Sequence, residues 1–156
     1  NSTIALMPTG NTVHLDFRSK FRALDFVQVV SDHLGREAGL DDDAVHWVGV
    51  AVRECVINAI KHGNCNDQRK RVHVEFTPLS SESPAGIEVC VRDEGCGFDL
   101  AGVPDPLAPE NVLKSTGRGI FLIRSFMDEI VLRNAPGGGM ELRMVKRVQS
   151  VHQVRS

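Results

Sequence analysis

The alternation of apolar and polar positions places the first element at "NTVHLDFRS", residues 11 to 19. Val13, Leu15 and Phe17 alternate there with His14, Asp16 and Arg18, the period-two signature of a strand with one buried face. The period changes in "KFRALDFVQVVSDHLGREAG", where Phe21, Leu24, Val27, Val30 and Leu34 recur at helical spacing and Gly39 supplies a stop. A second helix opens at "LDDDAVHW", with Asp41 to Asp43 as an N-cap candidate and as negative charge at the positive end of the helix dipole. It is expected to run to about Gly63. On a helical wheel Val45, Val48, Val52, Cys55, Val56 and Ala59 share one apolar face.

Two further alternating runs, "RVHVEFTPL" (71 to 79) and "GIEVCVRD" (86 to 93), are joined by the polar "SSESPA" and predict a hairpin. From Phe98 to Ser115, with Pro104, Pro106, Pro109 and Gly102, neither period survives. A loop of that length inside a compact domain is usually a functional lid or disordered. "GRGIFLIRSFM" (117 to 127) predicts a glycine-led helix, and "DEIVLRNA" and "GMELRMVKR", separated by "PGGG", predict a second hairpin. Strands and helices in this order do not follow strict βαβ alternation. The expected fold is an α/β two-layer sandwich of the α+β type, with helices packed on one face of a mixed, largely antiparallel sheet. One domain over 11 to 147 is expected, with residues 1 to 10 and 148 to 156 as flexible termini.

Composition narrows the class. Hydrophobic residues make up 42% of the chain and charged residues 24%, as in an ordinary globular domain. The 18 basic and 20 acidic residues are interspersed, which provides no electrostatic footprint for nucleic acid. Apolar runs such as "VHWVGVAV" are too short to span a membrane, and the N-terminal stretch lacks the basic start and apolar run of a signal peptide. Cys55, Cys65, Cys90 and Cys96 form no CxxC pair, which points to reduced thiols and a cytoplasmic location. His62 and Cys65 could be two zinc ligands, but no second pair accompanies them.

Three stretches carry candidate chemistry. Glu54, Asn58 and His62 climb one side of the second helix at four-residue intervals. They are either a solvated polar edge or a proton acceptor beside a neutral oxygen ligand suited to magnesium. "VRDEGCGFD" ends a predicted strand with Asp93, followed by Gly95 and Gly97. It is either a strand-ending turn or a carboxylate placed to accept from a ligand amine, with glycines permitting close approach. Gly117 and Gly119 open an apolar helix whose free amides would attract phosphate. A P-loop is excluded because GxxxxGK[ST] is absent.

Taken in order, "ECVINAIKHGN", "VRDEGCGFD" and "STGRGIFLIRSFMDEI" resemble the Bergerat-fold ATPase superfamily of gyrase, mismatch-repair ATPases and histidine kinases. They are most similar to its small stand-alone branch, the anti-sigma-factor serine/threonine kinases. The resemblance covers residues 11 to 147. It implies ATP and Mg2+ as cofactors, with Asn58 ligating the magnesium and Glu54 as catalytic base. It implies that Asp93 binds the adenine amine directly and through water, with Gly95 and Gly97 passing close to the base. Gly117, Arg118 and Gly119 would present backbone amides to the phosphates, residues 98 to 116 would close as a lid, and His62 would lie near the nucleotide. The implied partners are a sigma factor, a STAS-domain anti-anti-sigma factor that accepts the phosphoryl group, and a second copy in a homodimer.

Two positions depart from the family pattern. Met140 stands where relatives often carry a threonine that supports the adenine site, and "LKSTGRG" leaves Lys114 or Arg118 as the cations near the lid end. Two functions therefore remain: a kinase that sequesters a sigma factor, and a nucleotide-binding switch or adaptor that transfers no phosphate. The detached catalytic domain of a histidine kinase fits less well, since His33 has no partner helix pair around it.

Overall fold

A computed structural model describes residues 5–9, 11–80, 84–95 and 123–149, the first of these stretches by its backbone alone. The strands are β1 (Ala5–Thr9), β2 (Thr12–Arg18), β3 (Arg71–Pro78), β4 (Gly86–Arg92), β5 (Glu129–Asn134) and β6 (Met140–Arg147). They form one sheet in the order β1-β2-β3-β4-β6-β5. Every neighbouring pair is antiparallel, so the sheet expected to be mixed is antiparallel throughout its described strands. Register sorts the side chains by face. Leu15 lies opposite Val74, Val74 opposite Val91, and Val91 opposite Leu142, so the apolar positions of successive strands meet on one side.

That side is covered by α1 (Leu24–Glu37), entered through a 3-10 turn at Phe21–Ala23, and by α2 (Asp42–Asn58). Helix α1 stops where Gly39 takes φ +93 and Leu40 N–H reaches back to the carbonyl of Gly35, a glycine-terminated helix end of the Schellman type. The expected cap of α2 is present, with Asp41 Oδ1 accepting from Ala44 N–H at 2.8 Å. Its apolar face, Val45, Val48, Val52, Cys55 and Val56, packs into one core with Leu15, Phe17, Val72, Val74, Phe76, Val89 and Met144. Burial pushes the Cys55 thiol well above its ordinary pKa, so it packs as a small apolar group.

Three expectations change. Residues 1–10 were expected to be flexible, but Ala5–Thr9 form β1, paired to β2 with Thr9 opposite Thr12. Proline is tolerated here because β1 is an edge strand. Val148, assigned to the flexible tail, donates its N–H to the carbonyl of Ala85 at 2.7 Å and packs against the core. The second helix ends as an α-helix at Asn58 and continues as a π-type turn over Ala59–Gly63. Residues 123–126 are helical where the glycine-led helix was expected. The lid at 98–116, with Gly97, Gly117, Arg118 and Gly119, lies outside the described residues.

Phe76 is fully buried at the centre of the sheet. Phe76→Ala is expected to lower stability by about 3–5 kcal/mol, the usual cost of emptying a core phenylalanine site, read as a fall in the urea midpoint with an unchanged denaturant slope.

Candidate active site

The site is organised by the chain reversal after α2. In the π-type turn the N–H of Asn64 bonds to the carbonyl of Ala59 at 2.8 Å. Such turns are rare and cluster at functional sites. Cys65 and Asn66 then take φ of 52° and 59°, turning the chain toward β3. This conformation places Asn64 in the interior with no exposed surface. Its Nδ2 donates to Ser19 Oγ at 2.8 Å and to the carbonyl of Arg71 at 2.9 Å, while its Oδ1 accepts from Glu94 N–H at 2.8 Å. One side chain therefore joins the end of β2, the start of β3 and the segment after β4. Every polar atom of its carboxamide is used, as burial requires.

The Glu94 contact fixes the residue before it. Asp93 is 4% exposed, which decides against a surface turn. Its Oδ1 accepts from Gly95 N–H at 2.9 Å and from Met140 N–H at 3.0 Å, and its own N–H bonds to the Met140 carbonyl. Met140 thus serves this carboxylate through its backbone. Burial pushes the Asp93 carboxyl above the usual carboxylate range, and the two amides offset only part of that. Its Oδ2 faces Gly63, where a Cβ would collide with the carboxylate, and a Cβ on Gly95 would collide with the Gly63 carbonyl. No donor to Oδ2 is found among the described residues. The result is a buried acceptor packed so closely against Gly63 that no side chain fits there.

Glu54 and Asn58 are half-buried on α2, and His62 is exposed in the turn one step further along. Asn58 Nδ2 is buried and has no partner among the described residues. A buried amide left without a partner calls for an explanation. The exposed ring of His62 conforms to the polar-edge reading, whereas Asn58 does not.

Asn64 and Gly63 stood in the quoted "NAIKHGN", yet neither was chosen as a site residue. The available signal was a turn-forming Gly-Asn pair closing a long helix. Gly139, at φ +85, was also missed; a Cβ there would strike the backbone carbonyl of Asp93. A cleft of about 410 Å³ lined by Leu40, Trp47, Phe126 and Lys146 lies elsewhere, and none of Glu54, Asn58, His62 or Asp93 lines it. The Trp47 and Phe126 rings stack there with centroids 4.0 Å apart.

Against this geometry, the histidine kinase-like ATPase domain matches residues 18–146. The chain belongs to this family. As a histidine kinase-like ATPase domain it is similar over most of its length to bacterial regulators. It is 33% identical over 110 residues to the anti-sigma F factor of Oceanobacillus iheyensis, covering 68% of this chain and 71% of that one. It is 30% identical over 158 residues to the serine-protein kinase RsbW of Staphylococcus epidermidis, covering 97% and 95%. It is 28% identical over 142 residues to the anti-sigma F factor of Bacillus subtilis, covering 88% and 93%. ATP use follows from the domain family. No described helix is long and apolar enough to cross a membrane.

Two outcomes test this construction. Asn64→Ala strips partners from buried backbone groups, each costing about 1–3 kcal/mol when left unsatisfied. Stability should fall by that order, and hydrogen exchange at the Glu94 amide should accelerate. Asp93 gives a pH signature: its folded-state pKa is raised by burial, so the folded state holds the proton to higher pH than the unfolded chain. Stability must then decline with rising pH from the ordinary aspartate value of about 3.9 up to the raised one. Asp93→Asn should abolish that decline in urea unfolding followed across the window, while keeping stability at neutral pH.

Proposed function

We propose that this ATPase domain is a serine/threonine protein kinase of the anti-sigma type, which phosphorylates a STAS-domain antagonist and binds a sigma factor. The observation that carries the reading is the buried Asp93 carboxylate: one oxygen is held by the amides of Gly95 and Met140, and the other lies against Gly63, where no side chain fits, with no donor among the described residues. An acceptor in that setting suits the exocyclic amine of adenine. The names of the similar proteins, serine-protein kinase and anti-sigma factor, support the choice of chemistry and partner.

The residues of α2 fit the rest. The unpartnered Asn58 carboxamide would turn its oxygen to Mg2+, which when bound would neutralise charge on the phosphates. Glu54, one turn earlier, would take the proton of the attacking serine hydroxyl as the serine oxygen bonds to the γ-phosphorus and the bond to ADP breaks. His62 would border the nucleotide. Gly97 would continue the base-facing glycine pair, and Gly117, Arg118 and Gly119 would present amides to the phosphates under a lid formed by residues 98 to 116. The protein would work in the cytoplasm as a homodimer, without nucleic acid or membrane as a partner.

The adaptor reading rests on two departures, the missing arginine before Ser115 and the missing threonine at Met140; the first lies outside the described residues. The departure at Met140 is softened because its backbone N–H serves Asp93, which any residue but proline provides.

Asp93→Asn should weaken ATP binding by about 10- to 100-fold, the worth of a hydrogen bond to a charged group, as measured by calorimetry. Glu54→Gln should leave ATP binding intact and slow phosphorylation of the antagonist by about 10²–10⁴-fold, the usual contribution of a general base. If the wild-type protein with Mg2+ and labelled ATP phosphorylates no STAS-domain protein of its source, the kinase assignment fails. Unchanged partner binding and biological output in Glu54→Gln would establish the adaptor instead.

A further inference from the structure

The face of the sheet opposite α1 and α2 is polar, and among the described residues no helix covers it. On β2 and β3, Asp16 lies directly opposite His73, and His14 lies two residues along the same face from Asp16. One ligand atom from each of His14, Asp16 and His73 lies within 4.8 Å of the others. The side chains are 24%, 28% and 12% exposed, so they are reachable from solvent yet held by the sheet.

The hydrogen bonds around the two rings are informative. Glu94 Oε2 lies 3.0 Å from His73 Nε2. Glu94 is itself held in place, its Oε1 accepting from Arg71 N–H at 2.8 Å. In the tautomer with its proton on Nε2 toward Glu94, the His73 ring presents the Nδ1 lone pair to Asp16 Oδ2, 3.5 Å away. A lone pair opposed to a carboxylate oxygen can be bridged by a cation that both atoms ligate. The spacing is long for an N–H···O bond and close to the ~3.3 Å between neighbouring ligands when zinc bonds are ~2.0–2.1 Å in a tetrahedron. His14 shows the same arrangement, with Glu75 Oε1 3.1 Å from its Nδ1, which leaves Nε2 for another partner. Imidazoles oriented by a carboxylate on the far nitrogen are the usual surroundings of histidine metal ligands. Asp16 uses Oδ1 on Arg71 Nε at 2.6 Å, so Oδ2 is the oxygen that faces His73.

We propose that His14, Asp16 and His73 bind a first-row divalent transition-metal ion of the zinc class on the open face of the sheet. Two imidazoles and one carboxylate with a water in the fourth position make an open zinc-type site. The donor set is wrong for Mg2+, which takes oxygen ligands, so the site is distinct in chemistry as well as place from that at Asn58. Contraction from 4.8 Å requires only rotation of partly exposed side chains.

The test uses nucleotide-free protein stripped with a chelator, then titrated with Zn2+ by calorimetry and with Co2+ by visible absorption. One equivalent of Zn2+ should bind and raise the melting temperature, Co2+ should give ligand-field bands, and excess Mg2+ should displace neither. His14→Gln and His73→Gln should each weaken Zn2+ binding at least ~10-fold, and Glu75→Gln, which removes the carboxylate behind His14, should weaken it ~10-fold or more. Asp16→Asn provides a fourth variant should either histidine change alter the urea midpoint. Zn2+ affinity equal in the wild type and the folded variants, or no Zn2+ binding by the wild type, would overturn the proposal and leave His73 as an imidazolium between two carboxylates.

Discussion

Asn64 is the side chain on which the site's geometry depends. It sits in the one place where α2, β2, β3 and the segment after β4 converge, and it gives each strand segment a hydrogen bond from a position with no access to water. A buried carboxamide with all its bonds made is strongly directional, because any displacement strands several polar groups at once. The π-type turn at Ala59–Gly63 delivers it there by adding one residue to the last turn of the helix. The same turn brings Gly63 against Asp93 and Gly95. Helix end, strand end and glycine cradle are therefore consequences of a single chain reversal.

The two faces of the sheet divide the labour. The inner face interlocks with α1 and α2 through fully buried Val, Phe and Met side chains, and this supplies most of the stability. The outer face is a lattice of cross-strand ion pairs, among them Arg143 with Glu88, Arg133 with Glu141 and Arg71 with Asp16. Exposed pairs of this kind contribute little energy each, but they fix side-chain positions across the strands. Cys90 belongs to this lattice, with its thiol on Glu141 Oε1, and burial with that carboxylate raises its pKa well above the ordinary thiol value. It is held as a neutral donor rather than a reactive thiolate.

Asp93 shows what it costs to keep a carboxylate in the interior. Its burial works against ionisation, and two backbone amides recover only part of the penalty. A fold selected for stability alone would place an amide or an apolar group there. On the proposed reading a ligand donor completes the coordination of this carboxylate; Asn58 on α2 likewise keeps a buried nitrogen with no partner among the described residues.

Strands β2 to β6, both helices and the Asp41 cap were legible from periodicity, turn signals and capping chemistry, because they are local consequences of which face is buried. The ordered motifs around Glu54, Asn58 and Asp93 were legible too, and they identified the family later matched over residues 18–146. Edge strand β1 was not, since a five-residue run containing Pro8 has no periodic signal and exists only by pairing with β2. Whether Asp93 was a surface turn or a buried acceptor could not be read from Asp and Gly in a row, because both fates share that composition. Local residues determined the elements and the chemical types present. Burial, the role of Asn64 and the meeting of His14 with His73 depend on which segments become neighbours at a sequence separation of about fifty residues, and only the tertiary structure decides that.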